Sequence, residues 1–275
     1  MKKTVLLLIV LTALLLISFI LAANFYLNDR SVAITELAEP GDRVLAVFAH
    51  PDDEIMISGT LAKLDSMNIT TGLVYLTRGE AGPTGGLVPQ DQLGQARLEE
   101  VRAVKDILGV DFMRVFDFPD SGISEVPAQS IKLALLRAIE EFKPTVVIGF
   151  DQTIGLYGHE DHRLAGLYLH QLLKQNKPEF VQGYYMVTLP RPLIELALKM
   201  SSMFSERYAK DPAKGLPQAD VAVKMWTFAP FKQRVLRAHK TQWEVIDDVQ
   251  PYGTVTPAYL YYGIFDREYY HRVTL

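Results

Sequence analysis

The sequence predicts an α/β protein, a mostly parallel sheet with helices on both faces, preceded by one N-terminal transmembrane helix. Three observations carry that expectation. Apolar runs rich in β-branched and aromatic residues, at 44–48, 71–77, 112–116 and 145–150, alternate with helical patterns, as in a parallel sheet covered by helices. Residues 4–23 hold no charged side chain. Finally, 275 residues that are 49% hydrophobic and 22% charged suit one globular α/β domain with an appendage.

The first run, 4–23, follows Lys2 and Lys3 and has roughly the twenty residues that cross a bilayer core as a helix. A cleavable signal has a shorter apolar core of about 7–15 residues and a small-residue cleavage site, of which Leu21, Ala22 and Ala23 are a weak version. Residues 1–23 are therefore expected to be an uncleaved membrane anchor, with cleavage and secretion as the alternative. The two lysines predict a cytoplasmic N-terminus and an extracytoplasmic domain. Residues 24–40, short and mixed, read as a linker to a domain over 41–275.

Within that domain, the 44–48 strand leads into a helix over 55–66, and 71–77 is the next strand. Residues 78–91 hold four glycines and two prolines and predict an irregular loop, either a mobile lid or plain surface. An amphipathic helix over 95–108 carries Leu98, Val101, Val104 and Leu108 and ends at Gly109. The strand 112–116, a helix over 128–141 and the strand 145–150 follow. A helix over 161–174 carries His162 in its first turn, and 180–188 reads as a strand. Beyond it, 192–208 is a Leu- and Met-rich helical pattern (a packed or lid helix), 231–243 is a helix, and 259–273 is a strand-rich aromatic tail.

Composition also excludes. A net charge of −4 with no basic patch argues against nucleic acid. The absence of cysteine removes disulfides, thiolate metal sites and Cys nucleophiles.

The chemistry concentrates at two strand ends. Ala49, His50, Pro51, Asp52, Asp53 and Glu54 follow the first strand; Tyr157, Gly158, His159, Glu160, Asp161 and His162 follow the 145–150 strand. Ligands in open α/β sheets bind at the carboxyl ends of strands. His50, Asp53 and His162 make a His-His-carboxylate set for zinc (Zn2+), with Fe2+ or Co2+ also compatible, and leave a position for water. Asp52 is then free to act as general base. His159, as an imidazolium, is placed to stabilise an oxyanion or protonate a leaving amine. Asp161 either orients a ligand histidine through its far nitrogen or caps a helix. Asp52 and Glu54 also suit the N-terminus of the helix they precede.

These two motifs resemble the PIG-L/LmbE family of zinc-dependent N-acetylglucosaminyl deacetylases. The likeness extends to Leu76-Thr77-Arg78-Gly79-Glu80, Phe118-Pro119-Asp120-Ser121-Gly122 and Ala238-His239-Lys240-Thr241-Gln242. It implies a Rossmann-like sheet, zinc on His50, Asp53 and His162, Asp52 as base and His159 on the tetrahedral intermediate. It also implies that Tyr157 positions the substrate carbonyl and that Arg78 and Asp120 grip sugar hydroxyls. Arg78 otherwise reads as a surface arginine, Asp120 as a turn residue, and His239 as either a pocket or a packed helix histidine. Glu160 stands where the family often has Pro, and Thr241 where it often has Ser.

The expected function is removal of the N-acetyl group from an N-acetylglucosamine-type amino sugar on a glycolipid, glycan or conjugate. The alternatives are an amidase on a larger amide with the same zinc site, or a membrane-tethered carbohydrate-binding protein. The expected partners are the amino-sugar substrate and, through the N-terminal helix, the membrane.

Overall fold

The computed structural model describes residues 2–275. The chain opens with α1 (Lys2–Leu27), followed by the short strand β1 (Ala33–Ile34) and by β2 (Arg43–Phe48). A 3-10 turn (Asp53–Met56) then leads to α2 (Ser58–Ser66), β3 (Thr70–Thr77), α3 (Leu93–Leu108) and β4 (Phe112–Phe118). Next come α4 (Ala128–Phe142), β5 (Val146–Gly149), the single turn α5 (Gly155–Gly158), α6 (Glu160–Asn176) and β6 (Gly183–Thr188). The last part holds α7 (Arg191–Met200), α8 (Ser202–Arg207), β7 (Val221–Lys224), α9 (Ala229–Ala238), α10 (Trp243–Val249), α11 (Ala258–Ile264) and β8 (Arg267–Arg272).

Among the described residues the strands form one eight-stranded sheet in the order β1-β7-β8-β6-β5-β2-β3-β4. All neighbours are parallel except β8, which runs antiparallel to β6 and β7. From β2 the chain winds outward through β3 to β4, then returns to the other side of β2 as β5. The order reverses there, and the crevice at such a reversal is where open α/β sheets bind ligands. Val44 pairs with Val146 and Val47 with Gly149, so β2 and β5 release their loops side by side.

Alternation along the strands sorts side chains onto two faces. Val44, Ala46, Phe48, Leu73 and Tyr75 pack with α2, α3 and α9. Leu45, Val47, Val74 and Leu76 pack with α4 and α6. Both faces being covered explains why these strands are apolar without a break. Gly109 ends α3 as expected, with φ +65° and its N–H donated to Lys105 O.

Several expectations are corrected. Residues 24–40 are not a free linker. The helix runs on to Leu27, Asn24 and Asn28 are buried, and their side-chain amides donate to Gly263 O and Ile264 O at 2.9–3.0 Å. Val32, Leu37 and Ala38 are buried too, and β1 pairs with β7. The 192–208 helix breaks at Ser201, whose hydroxyl accepts from Phe204 N and donates to Asp248. The 231–243 helix breaks at His239, whose ring is drawn inward (below). The tail over 259–273 is half helix: α11 starts after Pro257, and only β8 is strand. β1 and β7, two and four residues long, are too short to announce themselves by pattern.

Among the described residues one helix, Lys2–Leu27, is long and apolar enough to cross a membrane, with a mean hydropathy of 3.2 in its most apolar stretch.

A glycine fixes the approach to α6. Gly155 has φ +60°, and a Cβ there would lie 2.3 Å from Arg163 N. Gly155→Ala should cost about 1–3 kcal/mol in chemical denaturation, because both the left-handed backbone and the contact with α6 oppose it.

Candidate active site

The turn after β2 is built by its own acids. Asp53 Oδ2 accepts from Ala49 N at 3.1 Å and His50 N at 2.8 Å, curling the chain so that its other oxygen faces His162. Asp52 is forced into left-handed backbone, φ +105°, where a residue with a Cβ is strained. Two groups hold it there. Glu54 Oε2 accepts from Asp52 N at 3.0 Å, and Arg97 of α3 reaches Asp52 Oδ1 at 3.0 Å while donating to the carbonyls of Pro51 and Gly79.

The loop after β5 is organised by Asp151. Its Oδ1 accepts from Thr153 N and Ile154 N at 2.9 and 2.7 Å, and its Oδ2 from Leu156 N at 2.9 Å. Leu156, at φ +72°, is a second strained residue, and Tyr157 comes next. His159 then sits at the N-cap of α6, and Asp161 and His162 lie in the first turn. Phe150 stacks on the His162 ring at 4.3 Å and 10°.

The two loops converge. His50 Nδ1 and His162 Nε2 face one another at 3.1 Å, and Asp53 Oδ1 lies 3.0 Å from His162 Nε2. The rings of His159 and His162 stack at 4.6 Å. On its far side, His50 Nε2 meets Asp120 Oδ1 at 3.0 Å and Asp161 Oδ2 at 3.3 Å. Ser121 N donates to the same Asp161 oxygen at 2.7 Å. The N-cap of α6 is His159, and Asp161 lies in the first turn with its carboxylate against His50.

Two imidazole nitrogens aimed at each other beside a carboxylate suit a positive charge between them. The donors are of the type that zinc, iron or cobalt accept, and carboxylates back the far nitrogen of His50 as they do in metal centres. The residues therefore fit a divalent cation.

Electrostatics agree. Burial pushes His50 down, but the hydrogen-bonded carboxylates of Asp120 and Asp161 and the charge of Asp53 raise it to about 10. Burial likewise raises Asp53, yet the charges of His162 and His50 hold it at about 2. The site stabilises positive charge at its centre. Asp52 goes the other way, its carboxyl raised by burial and by the charge of Asp53 against the pull of Arg97. His159 is pushed down to about 3, by burial and then by the positive charge of His162 and His50. A cation next door favours the neutral ring.

A cavity of about 490 Å³ opens on this centre. His50, Asp52, Asp53, Asp120, Tyr157, His159 and His162 all line it. The glycine-rich loop supplies one wall through Ala81, Gly82 and Pro83, tied down by Ala81 N to Asp120 Oδ2 and Gln242 Nε2 to Pro83 O. Two expected residues lie elsewhere. Arg78 is not in the lining; it pairs with Asp117 at 3.0 Å on the surface, the other reading left open for it. His239 is also outside the lining, wholly buried, with Nε2 2.5 Å from Glu54 Oε1.

Arg97 and Asp151 were missed by the sequence reading. Arg97 carried a signal: it stands four, seven and eleven residues before Val101, Val104 and Leu108, an arginine on the apolar stripe itself. Asp151 carried a weaker one, an acid directly after a buried strand.

Fold and site define an α/β protein with a buried histidine-carboxylate centre at the reversal of its sheet. A sequence profile of the PIG-L family, described as GlcNAc-PI de-N-acetylase, matches residues 45–173. The 1D-myo-inositol 2-acetamido-2-deoxy-alpha-D-glucopyranoside deacetylase of Geodermatophilus obscurus is 35% identical over 248 residues, covering 74% of this chain and 83% of that protein. The diacetylchitobiose deacetylase of Thermococcus kodakarensis is 35% identical over 147 residues, but the chain spans only 54% of that relative's length. In fold, the chain is similar to N,N'-diacetylchitobiose deacetylase from Pyrococcus horikoshii, with a TM-score of 0.64 and 17% identity over 88% of each chain. The chain belongs to the PIG-L family.

Arg97→Leu strands a buried carboxylate and two carbonyls. Loss of one partner of a buried ion pair should cost about 3–5 kcal/mol, read as a lower denaturation midpoint. Replacing the half-buried Arg78, whose ion pair is open to solvent, should change stability by less than about 1 kcal/mol.

Proposed function

We propose that the protein is a metal-dependent hydrolase that removes the N-acetyl group from an N-acetylglucosamine-type amino sugar carried on a glycolipid, glycan or sugar conjugate. The observation that carries this reading is a raised, buried carboxyl, Asp52, lining one cavity with the His50, His162 and Asp53 cluster. Relatives named as deacetylases of acetylated amino sugars support it.

His50, His162 and Asp53 would hold the cation, zinc in this reading. When bound, it supplies Lewis acidity that stabilises negative charge on the carbonyl oxygen and makes water more acidic. Asp52 takes a proton from the water that attacks the acetyl carbon, and its raised carboxyl makes it a stronger base than an exposed aspartate. Neutral His159 offers an N–H to the oxygen as charge develops. Tyr157 stays protonated because burial raises its phenol, and it donates an O–H to the same carbonyl. The proton on Asp52 passes to the amine as the C–N bond breaks, giving acetate and a free amino sugar. Asp161 acts through His50, and Asp120 has acceptor capacity left for sugar hydroxyls. The N-terminal helix anchors the protein, and Lys2 and Lys3 support a domain outside the cytoplasm.

Acetate release from N-acetylglucosamine conjugates, with and without added zinc, tests the reading. Asp52→Asn should keep its metal and lose about 10²- to 10⁴-fold in kcat; unchanged turnover would remove Asp52 from the role. His162→Ala should lose the metal by elemental analysis, and full occupancy there would reject the ligand set.

A further inference from the structure

The end of α1 is bonded into the domain. The Asn24 amide donates to Gly263 O and Ile264 O at 2.9 and 3.0 Å, and the Asn28 amide to Ile264 O at 2.9 Å. Tyr269 of β8 donates its hydroxyl to Asn28 Oδ1 at 3.0 Å, and Arg30 donates to Asn24 Oδ1 at 2.6 Å. Together these bonds hold α11 at a set height along α1.

That height follows from helix geometry. The uncharged run begins at residue 4, and about twenty residues at about 1.5 Å each span a hydrocarbon core of about 30 Å, so the core ends near residue 23. Ile20 lies inside that limit by roughly 4–5 Å. A Cβ on Gly263 of α11 would stand 3.0 Å from Ile20 Cγ2 and 3.8 Å from Trp226 Nε1. The Trp226 indole therefore lies at the level where hydrocarbon gives way to headgroups. Its Nε1 donates to Tyr259 O, the two rings lie 5.4 Å apart, and both side chains are exposed. Phe25 and Tyr26, just past the end of the run on α1, are exposed as well. Trp and Tyr, each an apolar body with one polar atom, are the side chains that settle at a membrane-water boundary.

The surroundings of this pair carry no charge. Residues 249–265 hold no charged side chain, the longest such stretch after the one that forms α1, and within it Tyr252, Val255, Tyr259 and Leu260 are exposed. We propose that the face built from Trp226, Tyr259 and Leu260 is a membrane-docking surface, seated among the headgroups of the bilayer that α1 crosses. A soluble partner would have to enter the lipid beside Ile20 to cover it. The inference rests on the anchor reading of α1, not on the deacetylase reading, and adds a second contact with lipid, made by the folded domain itself. Helix and face together fix the domain in one orientation on the membrane, where an anchor alone leaves it free to swing.

The test uses the full chain in phosphatidylcholine nanodiscs. Trp226 and Trp243 are its two tryptophans, so Trp243→Phe leaves Trp226 as the sole indole and the docking face unaltered. In discs of phosphatidylcholine brominated near the headgroup end of its acyl chains, Trp226 emission should fall by roughly half or more, as for an indole seated at the interface. Emission that bromolipid leaves untouched overturns the docking face: quenching by aqueous iodide then shows a free surface, and quenching by neither shows cover by a second copy of the chain. Ile9→Trp in a chain also carrying W226F and W243F reads α1 by itself. If bromolipid quenches that indole and not Trp226, docking falls while the anchor stands; if it quenches neither, both fall. Should W243F not fold, the absence of cysteine lets Tyr259→Cys take a single environment-sensitive dye. A blue-shifted emission from that dye in the discs upholds the face, and an emission unchanged from that in water rejects it.

Discussion

The buried carboxylate of Glu54 is the contact on which the site depends. One oxygen accepts from Asp52 N at 3.0 Å and Tyr75 OH at 2.8 Å; the other meets His239 Nε2 at 2.5 Å. Burial raises this carboxyl, yet the charge and hydrogen bond of His239 bring it below its ordinary value, so it stays ionised. Left-handed backbone at a non-glycine residue costs on the order of 1–3 kcal/mol and persists only where neighbours over-determine it. Glu54 supplies that over-determination, joining the turn after β2 to β3 and to the residue where α9 stops. The same pull on the His239 ring accounts for the break between α9 and the turn that follows it.

Around this strut the charges are arranged by layer. Asp52, Asp53, Asp120 and Asp161 surround the cluster, against Arg97 and the imidazoles. Each is pinned by donors that leave it little freedom: backbone N–H groups for Asp53, Ala81 N for Asp120, Ser121 N for Asp161, the guanidinium for Asp52. Fixed dipoles aimed at fixed charges need no reorganisation when charge develops in a reaction, which is the electrostatic advantage of a preorganised site. The separation of behaviours follows: Asp53 and Asp120 are held ionised while Asp52 is pushed toward taking a proton.

Much of this was legible in the residues themselves. Buried parallel strands announce themselves by unbroken apolar runs, so β2, β3, β4 and β5 and the helices between them were readable, and with them the two strand ends that carry His50, Asp53 and His162. What escaped was decided by partners far away in sequence. α2 has no cap of its own; Glu268 of β8 accepts from Gly59 N at 2.9 Å and Thr60 N at 2.7 Å, so its helix start is completed from the other end of the chain. Segment 24–40 looked like a linker because its amides meet their acceptors more than two hundred residues later. In the 259–273 tail, alternation and helical spacing are hard to separate where aromatic and apolar residues crowd together, as in 259–262 and 264–265, and Pro257 at its head was the clue to a helix. Arg97 hid inside a helix whose stripe was drawn through Leu98 instead.

The place of β8 in the sheet has a consequence for how the molecule comes into being. It comes last in chain order among the eight described strands, yet it lies inside the sheet, hydrogen-bonded to β6 on one side and to β7 on the other. Until residue 272 has emerged, β6 presents an open edge, and β7 and β1 have no sheet to join. A chain made from its N-terminus therefore carries an unfinished, sticky β-surface until β8 has emerged, the kind of edge that pairs with other chains when left open. The strand that closes this edge also brings Glu268 under α2, and β7 beside it pairs with β1 near the α1 end of the chain.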